Sequence, residues 1–333
     1  MSAQPHLLLY DARRGKAMPI DPASLSVTDP VEDLADWLEI RTFRDRDGNS
    51  SHVELLRALR MSGTADALDE EDETDTGYER WEDPYEAAVE SAFTEIEDRF
   101  NACGAERGMY PFELEEDCIA LAKETRASVY TFLLLLSRYG HSAGSKNAEG
   151  AKLFEEVCAK VAEEYIGGAH ISVKSRVFGF PRRVLPARFE DALQKLCDEL
   201  QEGTGPRDRP TSSDQKDAKL DIVAWRDFDD ARPGKLIIFG QCATGRNWNQ
   251  KLSDLQPSVW CDFWMQDRPA VLPVPMFFVP HRVSLRDWLR SSFFGGILFD
   301  RCRIARHSSL IGPPLRNELA AWSKDVLGSI GAI

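Results

Sequence analysis

Two apolar stretches in the C-terminal half of the chain each meet an oxygen-bearing side chain. In Leu220-Asp221-Ile222-Val223-Ala224-Trp225 the acid stands at the mouth of an otherwise apolar strand. Further on, Leu236 to Phe239 runs into Gly240-Gln241-Cys242-Ala243. Neighbouring strands that end this way can hold one divalent cation, Mg²⁺ or Mn²⁺, since such ions prefer oxygen ligands and keep several waters. A water on that ion can be activated to attack a phosphodiester, while the ion neutralises charge on the phosphate. A lysine close by can stabilise the charge that develops. Each residue also has a plain structural reading. An Asp at a strand edge often caps a turn or faces solvent, and a buried Gln often satisfies backbone groups.

GQCATGRNW carries a second possible chemistry. A Cys before a Gly-containing turn and a Trp can act as a thiolate nucleophile if a histidine serves as its base. His281, in FVPHRV, is the partner for Cys242 in that case. A Cys flanked by a strand is more often inert core. The chain has no G-x-x-x-x-G-K-[ST] loop, no H-E-x-x-H and no Cys/His zinc spacing, which argues against an NTPase or a zinc site. Two stretches are locally basic. One is VKSRVFGFPRRVLPAR, with Lys174, Arg176, Arg182, Arg183 and Arg188 around Phe178 and Phe180. The other runs from Arg282 through Arg286 and Arg290 to Arg301, Arg303 and Arg306. Such residues can hold phosphates, or they can pair with the acidic half of the chain.

Positioning these groups calls for layered α/β structure, and the pattern from residue 150 onward reads that way. Phe154, Val157, Cys158, Val161, Ala162 and Tyr165 predict an amphipathic helix that stops at Gly167-Gly168. Phe189, Ala192, Leu193, Leu196, Cys197 and Leu200 predict another. Strands are expected at Leu220 to Trp225, Lys235 to Phe239, Met276 to Val279 and Gly296 to Phe299, with a helix opening at NWNQKLSDL behind an Asn cap. Upstream, a short strand is expected at Leu7 to Tyr10. A helix is expected from Ser51, another from Pro84 to Gly104, and a buried one from Arg126 to Arg138. ADALDEEDETDTGYERWED reads as a charged linker, and HSAGSKNAEG as a connection between domains. The resulting division is a small N-terminal region (1–65), an acidic linker (66–83), a helical domain (84–145) and an α/β domain (146–333).

Composition narrows the classes further. The 333 residues carry a formal charge of −14, with 55 acidic against 41 basic side chains. That excludes a general nucleic-acid coating protein but leaves room for a local basic groove. The 7 cysteines are odd in number and contain no C-x-x-C pair, so neither a disulfide framework nor a zinc cluster is expected. Free thiols of this kind fit a reducing cytoplasm. The strongest apolar run, Tyr130 to Leu136, falls far short of the roughly 20 residues that span a bilayer, so no membrane partner is expected.

Phe154-Glu155 in the amphipathic helix, Asp221 at the first strand and Gln241 after the second together resemble the PD-(D/E)XK, or restriction-endonuclease-like, superfamily in its Mrr-like branch. That branch pairs a helix bearing Phe-Glu with a strand bearing Asp and a strand bearing Gln-x-Lys. The resemblance spans residues 150–260. It implies a restriction-endonuclease-like core, a mixed sheet flanked by helices, preceded by a mainly helical N-terminal region. It also implies a Mg²⁺- or Mn²⁺-dependent DNA endonuclease, with Asp221, Gln241 and Glu155 holding the metal; Asp217, in KDAKLD, is read as a plain loop residue, with an outer-ligand role as the alternative. Lys174, Arg176, Arg182 and Arg183 would meet DNA. Defence against foreign DNA, with protein partners in a larger complex, is the setting it implies. The chain departs from the pattern at Ala243, where the branch has its lysine. Lys251, in the helix that follows, takes that role by migration, with Lys235 and Lys216 as weaker substitutes. The alternative is a non-catalytic adaptor that keeps a degenerate nuclease fold.

Overall fold

A computed structural model describes residues 25–66, 83–122, 128–140, 145–167, 172–208 and 216–329. In chain order these form α1 (Val31–Arg44), β1 (Asn49–Ser51), α2 (His52–Asp66), α3 (Pro84–Cys103), β2 (Phe112–Glu115), β3 (Cys118–Leu121), α4 (Ser128–Tyr139) and α5 (Ser145–Ile166). There follow β4 (Val173–Val177), α6 (Phe189–Leu200), β5 (Ile222–Arg226), β6 (Leu236–Cys242), α7 (Pro257–Trp264), β7 (Val274–Phe278), α8 (Leu285–Gly295), β8 (Ile297–Phe299), α9 (Arg301–Arg306) and α10 (Pro313–Ser329). The described residues are mixed α/β with two sheets. Strands β1, β3 and β2 make a small antiparallel sheet, and β4 to β8 make a larger one in sequence order.

The larger sheet is mixed. β4, β5 and β6 form an antiparallel meander, while β6, β7 and β8 run parallel, joined through α7 and α8. Parallel strands covered on both faces read as continuous apolar runs, which is how Leu-Ile-Ile-Phe and Val-Pro-Met-Phe-Phe behave. Side chains alternate across β6. Ile238 joins the core that contains α5, whereas Ile237 and Phe239 pack with α6 and α7. The α6 stripe of Phe189, Ala192, Leu193, Leu196, Cys197 and Leu200 is buried against Trp225, Phe239 and Trp260. Full burial of each large apolar side chain there is worth about 1.5–3 kcal/mol.

The apolar core runs without a break from Leu25 through α1, α3, α4 and α5 to Val326 of α10. It places the N-terminal helices directly against the α5 side of the larger sheet. No helix among the described residues is long and apolar enough to cross a membrane.

The expected elements hold with instructive exceptions. α3 begins at Pro84 behind an Asp83 cap and ends at Gly104 in the left-handed conformation, φ 76°. HSAGSKNAEG is not a connection throughout, because α5 already begins at Ser145. Its Gly150 reads as a breaker but serves close packing, since a Cβ there would fall 2.9 Å from Trp322 of α10. The helix expected at NWNQKLSDL is only a 3₁₀ turn, Trp248–Lys251, in which Asn247 makes no side-chain cap; the α-helix starts later, behind Pro257. The basic stretch at 173–177 is itself an edge strand, β4. The strand expected at Leu7 to Tyr10 and most of the acidic linker lie outside the described residues.

Candidate functional site

Asp221 is the residue just before β5. Ile222 pairs with Gly240, so one step back in the same antiparallel register sets Asp221 opposite Gln241. Two hydrogen bonds bracket that position. The Asp221 amide donates to the Gly240 carbonyl at 3.0 Å, and the Cys242 amide donates to the Asp221 carboxylate at 2.6 Å. The turn that delivers Asp221 is tight. Ala218 and Lys219 adopt left-handed φ of 54° and 71°, which costs non-glycine residues about 1–3 kcal/mol each. Asp217 holds the turn by accepting from the Lys219 amide at 3.0 Å, and Trp260 of α7 donates to the Ala218 carbonyl at 3.2 Å. Such strain is retained where the surrounding structure over-determines it.

Glu155 reaches the same place from α5. A Cβ added to Gly179 would fall 2.8 Å from the Glu155 carboxyl carbon and 2.9 Å from its Oε1. Any larger residue there would push that carboxylate out of its present place. The Gly179 amide in turn donates to the Asp221 carbonyl at 2.9 Å, and that of Phe178 does so at 2.7 Å. The loop after β4 therefore ties the α5 acid to the β5 acid. Burial, then the charges of Asp221 and Asp217, push Glu155 up to about 9. Burial also raises Asp221, to about 7, against the Cys242 amide and the positive charges of Lys251 and Lys219. The two carboxylates thus disfavour being charged together, and a cation between them would reverse that.

Gln241 is 4% exposed, and its Oε1 is buried without a hydrogen-bond partner. It stands in β6 rather than after it, in register with Phe277. Ala243 lies 1% exposed in an apolar cluster with Leu252, Phe277 and Val279, so position 243 serves packing. Lys251 ends the 3₁₀ turn, half-buried, with its charge felt at Asp221. Lys235 is 1% exposed, 3.3 Å from Asp227, and donates to the Leu200 carbonyl at 2.9 Å, which removes it from the site. Lys216 lies outside the acids, over the Phe180 ring at 5.9 Å.

The four cations expected to meet substrate already have partners. Lys174 pairs with Asp227 at 2.7 Å and Arg176 with Glu199 at 2.7 Å, both on the sheet face that carries α6. Arg183 pairs with Glu156 at 2.8 Å. Arg182 stacks on Phe178 at 4.6 Å and donates to the carbonyls of Ala187 and Lys216. They brace loops before they can hold phosphate. The thiol-nucleophile reading is disfavoured by the surroundings of both its residues. Burial and neighbouring Cys158 hold the Cys242 thiol neutral, and burial with the Arg301 charge lowers His281 to about 4, its Nε2 facing the Thr244 carbonyl at 3.2 Å.

Among the described residues no three His, Cys, Asp or Glu side chains gather as a metal cluster. The donor set that fits a hard cation is the two carboxylates of Asp221 and Glu155; the orphaned amide oxygen of Gln241 belongs to the residue opposite Asp221 in the β5–β6 register. Gly179 and Lys219 were missed from the sequence. Lys219 stands two residues from Asp221 in KDAKLD and could have been found by proximity; a Gly between two Phe residues gives no such signal. Compared with family models, with curated proteins and with solved structures, the chain matches none.

Proposed function

We propose that this chain is a divalent-metal-dependent nuclease that hydrolyses DNA phosphodiester bonds. One observation carries the reading: two carboxylates from separate elements lie close enough that the charge of Asp221 adds to burial in raising Glu155, while burial raises Asp221. Asp221, Glu155 and Gln241 would hold Mg²⁺ or Mn²⁺. The ion, when bound, supplies an activated water and neutralises phosphate charge. Asp221 is oriented by the Cys242 amide, Glu155 by its seat against Gly179, and Lys251 sets positive charge beside Asp221 where a phosphorane would develop. The mixed sheet flanked by helices agrees with the restriction-endonuclease-like core that the motif order implies, and defence against foreign DNA is the setting proposed with it.

The test is cleavage of plasmid and linear DNA in Mg²⁺ or Mn²⁺ by wild type, Asp221→Ala, Glu155→Gln and Lys251→Ala. Asp221→Ala should lose activity by at least about 10²-fold, the scale of losing one transition-state electrostatic contact. Equal activity in all four proteins would remove the site. One observation favours the non-catalytic adaptor instead. Leu285, Leu289 and Phe293 form a stripe along α8 that is 90%, 81% and 81% exposed, and exposed apolar patches mark partner surfaces. An adaptor would cut no substrate with any cation and would lose assembly, not cleavage, in Leu289→Glu.

A further inference from the structure

A cavity of about 330 Å³ opens beside Glu155, between α5, β4 and the loop at 181–184. Its walls divide by chemistry. Val177, Pro181, Val184 and Leu315 are apolar, and Val184 is 66% exposed at the rim. Lys152 is the cation on the wall with no carboxylate at ion-pair distance among the described residues, and its charge acts on Glu155. Arg183 is occupied by Glu156 at 2.8 Å, so that pair adds no net charge.

A cavity with apolar wall positions, one unpaired cation and the carboxyl groups of Glu155 and Glu156 on its wall matches a nucleoside with its phosphate. Base faces pack on apolar walls, base edges find polar groups, and the phosphate finds the ammonium. A base inside an intact duplex cannot enter a side cavity, because its partner and its stacked neighbours hold it in the helix. We propose that this cavity takes one unpaired nucleoside of the substrate strand, so that the protein acts on single-stranded or frayed nucleic acid in preference to closed duplex. The proposal rests on the nuclease reading of the adjacent acids. It makes Val184 and Lys152 substrate-binding residues.

Binding separates the two readings. A fluorescently labelled oligothymidylate and a blunt hairpin duplex of equal charge are titrated with the full chain in Ca²⁺ at fixed salt, followed by anisotropy. Wild type should bind the single strand about ten-fold more tightly than the hairpin. Val184→Trp fills the rim without touching the core and should abolish that preference; Val184→Glu should do the same by charge, and Val184→Ala should keep it. Melting curves of each variant exclude misfolding as the cause. Equal affinity of wild type for both probes, no binding to either, or an unchanged preference in Val184→Trp and Val184→Glu overturns the proposal. If the preference is present and responds to Val184 while no cation supports cleavage, the nuclease reading fails and the nucleoside cavity stands. Cleavage lost in Asp221→Ala with no strand preference gives the reverse.

Discussion

Two groups of buried acids in this molecule have opposite fates. On α1, Asp36 and Glu39 meet two arginines. Arg99 of α3 lies 2.8 Å from Asp36 and 2.9 Å from Glu39, and Arg301 of α9 lies 2.6 Å from Asp36. The hydroxyls of Tyr110 and Tyr130 each donate to Glu39 at 2.7 Å. Burial alone would raise Asp36, but Arg301 and Arg99 outweigh it and hold its carboxyl well below the usual range. At the other group, Asp221 and Glu155 have no guanidinium at ion-pair distance among the described residues. Burial wins, and both are raised. Residue type does not decide whether a buried acid is structural or poised for chemistry; the fixed partner does.

The largest effect that can break this contrast is at the arginine. Arg301→Met leaves Asp36 without its closest cation in a dry core, and removing one partner of such a network costs about 3–5 kcal/mol. Denaturant unfolding should show that loss. A change below about 0.5 kcal/mol, the level of ordinary surface substitutions, would mean that the network is not what holds α1 to α9. The sign of the pH dependence follows from a depressed acid. The stability from Asp36 is present above its unfolded value, near 3.9, and is lost as pH falls toward the folded value. Arg301→Met should therefore flatten the acid limb of the stability curve.

A cation is the next largest lever, and it acts only on the second group. Mg²⁺ or Ca²⁺ at about 100 times its dissociation constant should stabilise the protein by about 2.7 kcal/mol, seen as a rise in melting temperature. Asp221→Asn should remove the rise, and Arg301→Met should keep it on a lower baseline. An equal rise in Asp221→Asn would place the ion elsewhere.

The same acids give a smaller effect without metal, of opposite sign to that of Asp36. A carboxyl raised on folding contributes stability that is full below its unfolded value, near 4, and is lost as pH rises through the folded value. For Asp221 and Glu155 that loss runs through about 7 and about 9. Glu155→Gln should thus stabilise the metal-free protein between neutral pH and pH 9, by on the order of 1 kcal/mol, and leave acid stability unchanged. Thermal melts across pH test it; a variant that melts lower at alkaline pH contradicts the crowding of the two carboxylates.

The contrast also explains what was legible before the structure. Elements with strong periodicity were readable: α3 with its Pro84 start and Gly104 stop, α6 with its stripe, and the apolar strands β5 to β8. Short-range physics writes these directly. Asp221, Gln241 and Glu155 could be picked out as candidates because their order along the chain is itself a pattern. The arginines were not readable. Lys174, Arg176 and Arg183 are identical in type to phosphate ligands, and only folding reveals Asp227, Glu199 and Glu156 across from them. The Asp36–Arg301 bond was equally hidden, since its partners stand at opposite ends of the chain. Position 243 shows the limit well. A lysine was expected by analogy, and the alanine is explained by the apolar cluster it enters.

The smallest predicted effect sharpens the comparison most, because it asks whether an orphaned atom is kept for a ligand. Gln241 is 4% exposed, with Oε1 unpaired. A buried polar atom without a partner costs about 1–3 kcal/mol, so Gln241→Met, close in volume, should be neutral or slightly stabilising in the absence of metal. If Oε1 is a metal ligand, the same substitution must weaken cation binding, which calorimetric titration with Mn²⁺ reads directly. The two outcomes together, unchanged or higher metal-free stability with weaker Mn²⁺ affinity, separate a ligand from a packing residue. A destabilised variant that binds Mn²⁺ as tightly as wild type would make Gln241 part of the core, and would leave the carboxylates of Asp221 and Glu155 alone at the start of β5.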